Sequence, residues 1–124
     1  EETRKILSLP GLPVTATCVR VPVFCSHSES INVELNRPFT MEEVFSALQN
    51  QPGLVIEDEP SQNIYPLATE AAGKDQVFVG RIRRDFSVDN GLNLWCVADN
   101  LRKGAASNAV EILELLLKKW EAQA

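Results

Sequence analysis

These 124 residues have no apolar run long enough to cross a membrane. A helical span needs about 20 largely apolar residues. The most apolar stretch, Ile112 to Leu117, is broken by Glu114 and followed by Lys118 and Lys119. Histidine occurs once, at position 27, and the three cysteines (Cys18, Cys25 and Cys96) show no Cys-x-x-Cys spacing. One histidine and scattered thiols give no zinc ligand set, so no metal is expected. An odd cysteine count without a framework argues against a disulfide scaffold and suits a reducing cytoplasm, the expected location. No Gly-x-Gly-x-x-Gly opens a βα unit, so no dinucleotide-binding half is expected in this stretch. Basic residues are in deficit. Twelve Lys and Arg face 17 Asp and Glu, and the net charge of -5 excludes nucleic acid as a general partner.

What is present suits one domain spanning residues 1–124. The apolar share of 44% is ordinary for a globular chain, so a core is feasible. Residues 1 to 7 read as the end of a helix, broken by Leu9-Pro-Gly-Leu-Pro13. Val14 to Val21 is rich in β-branched residues and predicts a strand, with Pro22 bending it or confining it to an edge. Ser30 to Leu35 alternates, with Ile31, Val33 and Leu35 on one face. Thr40-Met-Glu-Glu43 is a capping box that predicts a helix to about Gln49, burying Val44, Phe45 and Leu48. Gln51-Pro-Gly53 stops it. Leu54 to Ile56 reads as a short strand, and 57 to 73 as a long polar loop. Gln76 to Arg84 and Leu92 to Ala98 read as strands joined at the turn signal Asp89-Asn-Gly91. A final helix is expected from Leu101 or Arg102 to Trp120, with an apolar stripe and a Glu114–Lys118 pair. This order predicts an α+β fold with a mixed, largely antiparallel sheet and helices on one face.

Chemistry concentrates between Thr17 and Glu29. Arg20 and His27 lie seven residues apart, the first on the expected strand and the second on the turn beyond it. Arginine offers a permanent charge and a planar donor fork that fits a carboxylate. Histidine is the one side chain whose ordinary pKa lies close to physiological pH. Together they suit a site that holds a carboxylate and moves a proton. On residue types alone, a structural role for the pair competes with this reading. Arg81, Arg83 and Arg84 read as a solvated or ion-paired strand face.

Arg20-Val-Pro-Val23 and His27-Ser-Glu29 resemble the catalytic-domain signature of aspartate-semialdehyde dehydrogenases. Gly91-Leu-Asn-Leu-Trp-Cys-Val-Ala-Asp-Asn-Leu-Arg-Lys-Gly-Ala-Ala106 is similar to that family's closing strand and helix start, and Gly80-Arg-Ile-Arg-Arg84 is a weaker match. The resemblance implies a fold like the C-terminal domain of glyceraldehyde-3-phosphate dehydrogenase, in which one sheet face packs against the same face of a second subunit. It implies reductive dephosphorylation of β-aspartyl phosphate by NADPH through a cysteine thioester, in lysine, threonine and methionine biosynthesis. It also implies a homodimer or a tetramer. Arg20 matches the substrate-binding arginine, His27 the acid/base histidine, and Asn100 a residue touching the nicotinamide end of NADP. Gly104 to Ala106 would permit close approach of the nucleotide domain.

The family nucleophile belongs to an earlier segment, so the chain is expected to be a C-terminal piece of a longer enzyme, inactive alone. Cys25 invites a Cys/His reading, but is expected to be a buried filler, as are Cys18 and Cys96. The alternative is a non-catalytic homologue, or a dimerisation module that kept the fold.

Overall fold

The computed structural model describes residues 1–123. A short helix α1 (Glu2–Ile6) leads into an irregular strap. Then follow β1 (His27–Glu34), α2 (Met41–Gln49), β2 (Leu54–Ile56), the one-turn α3 (Ala68–Ala71), β3 (Val77–Asp85), β4 (Gly91–Ala98) and α4 (Ser107–Glu121). The four strands form one mixed sheet in the order β1-β4-β3-β2. β4 runs antiparallel to both β1 and β3, and β2 is parallel to β3. The fold class is therefore the one expected.

Alternation along the strands divides the apolar residues between two faces. On one face Val79, Ile82 and Leu92 meet Phe39 and Val44, with Met41, Phe45 and Leu48 of α2 completing the layer. The capping box sets where α2 begins: Glu43 N donates to Thr40 Oγ1 at 3.1 Å, and Thr40 N donates to the Glu43 carboxylate at 2.8 Å. On the other face Phe78 and Val97 pack with Ala71, and Trp95 flanks them. The 57–73 segment, expected as a loop throughout, includes α3 and a 3-10 turn at Pro60–Gln62, and it covers this second face in part. Trp95 Nε1 donates to the Pro66 carbonyl at 3.0 Å, and the loop presses so close to β3 that only glycine fits at Gly80.

A bulge lies between Gly80 and Arg83 of β3. Arg81 there takes a left-handed conformation, φ 54°, which costs a non-glycine residue energy. Asp58 holds it, accepting from Arg81 N at 2.8 Å and Ile82 N at 2.9 Å. The bulge turns Ile82 into the core. The neighbouring arginines are partly engaged: Arg84 stacks on the Phe39 ring at 4.3 Å and donates to the Phe39 carbonyl.

Three expectations are corrected. Residues 14–21 form no strand, and among the described residues the backbone from 13 to 20 makes no backbone hydrogen bond. β-Branched residues favour an extended chain, but a strand needs a ladder partner, and neither sheet edge pairs with this segment. Second, no regular helix starts at Leu101 or Arg102. Lys103, Gly104 and Ala105 have non-helical backbones, and α4 begins at Ser107. Third, the α4 stripe is not buried within the chain. Ile112, Leu113, Leu116 and Trp120 all remain exposed, and the Glu114–Lys118 pair is absent among the described residues. Instead Lys103 reaches Glu111.

Candidate functional site

His27 opens β1, and its Cα partner across the ladder is Ala98, the last residue of β4. Antiparallel partners lie about 5 Å apart, so His27 sits at the sheet end from which the chain continues to Asn100. The register thus brings two of the three candidate residues to one end of the sheet. It also corrects the placement of His27, which lies on a strand rather than on a turn. The residue before it is the constrained one. Ser26 is buried, has φ 75°, and donates from Oγ to the Ala68 carbonyl at 2.9 Å. This bond fixes the direction in which the chain enters β1.

Arg20 lies on the exposed strap, and among the described residues its guanidinium has no hydrogen-bond or ion-pair partner. The structure does not tie it to His27 within this chain. The strap is apolar as well as exposed, with Val19, Val21, Val23 and Phe24 all open.

Asn100 is half-buried, and no hydrogen bond engages its side chain among the described residues. An amide with its donors and acceptor free at a sheet end fits a nicotinamide carboxamide. The neighbouring Asp99 is buried. Its carboxylate accepts from Gly73 N at 2.7 Å and Leu101 N at 2.9 Å. These backbone bonds, Gly73 first, hold its pKa below the usual aspartate value of 3.8. The bond to Leu101 is an Asx turn, so Asp99 caps a turn rather than the final helix. Asp75 accepts from Nε and Nη2 of Arg102, both at 2.8 Å, and from the Ser107 hydroxyl. Those two side chains, Arg102 foremost, lower it to about 2.

The thiols fall on different sides of expectation. Cys18 and Cys25 are exposed, not buried, because the strap carrying them joins no strand ladder that would enclose them. Cys96 is half-buried in β4, and burial pushes its thiol up to about 11, which leaves it unreactive. Among the described residues no group of three or more His, Cys, Asp or Glu could hold a metal ion. No helix there is long and apolar enough to cross a membrane. Sequence reasoning missed Ser26, Asp58 and Asp75. Their partners lie 42, 23 and 27 residues away, beyond any local pattern.

The mixed four-stranded sheet with its helices is the fold of a semialdehyde dehydrogenase domain. A family model described as "Semialdehyde dehydrogenase, dimerisation domain" matches residues 1–103, and the chain belongs to that family. It is 52% identical over 118 residues to the aspartate-semialdehyde dehydrogenase of Aquifex aeolicus and 50% identical to that of Bacillus subtilis. These matches cover 95% and 94% of this chain but 35% and 34% of the relatives, so the chain spans about a third of their length. The crystal structure of aspartate semialdehyde dehydrogenase II from Vibrio cholerae complexed with ASA superposes with a TM-score of 0.86 at 47% identity. That match covers 94% of this chain and 34% of the other. The Francisella tularensis enzyme gives 0.80 at 28% identity, covering 93% of this chain and 33% of that one.

Proposed function

We propose that this chain is the C-terminal catalytic and dimerisation part of an NADP-dependent aspartate-semialdehyde dehydrogenase, serving lysine, threonine and methionine biosynthesis in the cytoplasm. The reaction is reduction of β-aspartyl phosphate to aspartate semialdehyde with release of phosphate. The observation that carries this is identity of about half, over nearly the whole chain, to relatives named for that activity. Bound NADPH supplies the hydride to the acyl carbon. The nucleophilic cysteine, which carries the acyl group as a thioester, comes from a segment other than this one.

Each residue of this chain then has a separate task. Arg20 receives the substrate α-carboxylate on its fork of donors; its lack of a partner within the chain leaves those donors available. His27 holds and moves the proton at the reacting centre. Asn100 orients the nicotinamide by hydrogen bonds to its carboxamide. Dimerisation uses the exposed part of the sheet face, where Ser28, Ser30, Leu67, Arg81, Arg83 and Trp95 line an open groove of about 600 Å³.

Arg20→Lys in the enzyme that contains this chain tests the carboxylate assignment. Lysine keeps the charge and loses the fork, which costs about 2 kcal/mol of transition-state binding, or roughly 30-fold in kcat/KM. A parent-like kcat with an unchanged KM would remove Arg20 from the substrate site.

A further inference from the structure

The chain leaves β4 along a path that no regular ladder supports. Lys103 (φ -77°, ψ 126°), Gly104 (φ 85°, ψ -5°) and Ala105 (φ -130°, ψ -111°) break the helical run, and nothing lies within 4 Å of where a Gly104 side chain would start. The segment's own backbone holds only its first turn, where Arg102 N and Lys103 N donate to the Asp99 carbonyl at 3.1 and 2.8 Å, and Lys103 pairs with Glu111 of α4; a path so thinly held opens readily unless more groups fix it. The further holding groups come from the turn after α3. Gly73 N donates to Asp99 at the start of the segment, and Asp75 bonds Arg102 before the break and Ser107 after it. Two carboxylate oxygens thus serve three donors that straddle Gly104. The Arg102 contact is bidentate, the geometry that best fixes direction as well as distance.

We propose that Asp75 is a positioning residue for Asn100: by gripping Arg102 and Ser107 it fixes the 99–107 path and so the place at which the Asn100 amide meets the nicotinamide cofactor. This rests on the reading of Asn100 as a cofactor contact. Asp75 itself touches neither substrate nor cofactor. Its effect on binding passes through the backbone between residues 99 and 102.

The test uses the enzyme containing this chain and direct NADPH binding, read by the fluorescence of the reduced nucleotide. Asp75→Ala weakens NADPH binding by roughly tenfold, a typical consequence of a small misplacement, while the KM for aspartate semialdehyde stays put. In an Asn100→Ala background the same substitution has no further effect, because the residue it positions is gone. A merely structural role would give additive losses, or a loss shared by both substrates, and either result overturns the proposal. Arg102→Lys, which keeps the charge and loses the fork, gives the same pattern and serves if Asp75→Ala does not fold. If Asn100→Ala weakens NADPH binding and neither Asp75→Ala nor Arg102→Lys does, the positioning role alone fails. If Asn100→Ala leaves binding at the parent level, the cofactor reading of Asn100 fails and takes the positioning role with it.

Discussion

Asp99 and Asp75 illustrate how much of this domain depends on single carboxylates that take backbone and guanidinium donors. Both have pKa values below the ordinary 3.8, Asp99 through the Gly73 and Leu101 amides and Asp75 through Arg102 and Ser107, which bring it to about 2. A lowered folded-state pKa means that the unfolded chain takes up the proton first as pH falls. The stabilisation is therefore complete above the unfolded value near 4. It declines as pH falls below that value, for Asp75 mostly between pH 4 and its folded value of about 2. Melting temperature followed from pH 6 to pH 2.5 drops over that window in the parent, and the drop is smaller in Asp99→Asn. Identical slopes in the two proteins would show that Asp99 is not a titrating anchor. Little of this was legible beforehand. The Asp99–Leu101 bond is local, two residues apart, whereas Asp75 and Arg102 are adjacent only after the chain has folded.

Elements were legible where local chemistry decides them. The Thr40–Glu43 box spans four residues and both halves form, so α2 starts where the sequence places it. The same locality misleads for residues 14–21, where β-branched side chains favour extension but no strand is alongside. It misleads again at 102–106, where good helix formers flank Gly104 and conceal the break. The alternation of β1 holds at Ile31 and Val33, which are half-buried, because a strand with one covered face needs only its own period, but Leu35 lies beyond the strand and is exposed. Gly80 is the least visible determinant of β3. A side chain there would meet the Glu57 carbonyl oxygen and lie 2.6 Å from Pro66 Cδ, so the 57–66 loop could not close on the sheet. Gly80→Ala destabilises the domain by about 1–3 kcal/mol, the usual range for overpacking. Chemical denaturation reads it, and a midpoint equal to the parent's would mean that the loop does not press on β3.

At the scale of the whole molecule, this chain leaves apolar surface that it cannot cover. The strap carries Phe24 and Val19 in the open, and α4 exposes Val110, Ile112, Leu115 and Leu116 around its circumference. A helix apolar on several sides is at home only between neighbours. Membership of a dimerisation-domain family accounts for part of this, since a two-fold axis lets one face serve both subunits. The enzyme containing this chain sediments as a dimer or tetramer at micromolar concentration, and a monomer there would contradict the proposed assembly. The position of the candidate site has the same origin. His27 and Asn100 lie at the same end of the sheet because β1 and β4 are paired in register, and that pairing joins distant parts of the chain.

The central claim is that this sheet end performs acid/base chemistry on an acyl group delivered from elsewhere, with His27 as the proton carrier. Steady-state kinetics of phosphate-dependent NADP reduction with aspartate semialdehyde tests it, comparing His27→Asn with Cys25→Ser. Asparagine keeps polarity but cannot titrate, so kcat falls by roughly 10²- to 10⁴-fold. The exposed Cys25 thiol lies two residues away and has no assigned task, so Cys25→Ser retains most of the activity. Loss of activity in Cys25→Ser, with retention in His27→Asn, would contradict the account and make the local thiol the reactive group.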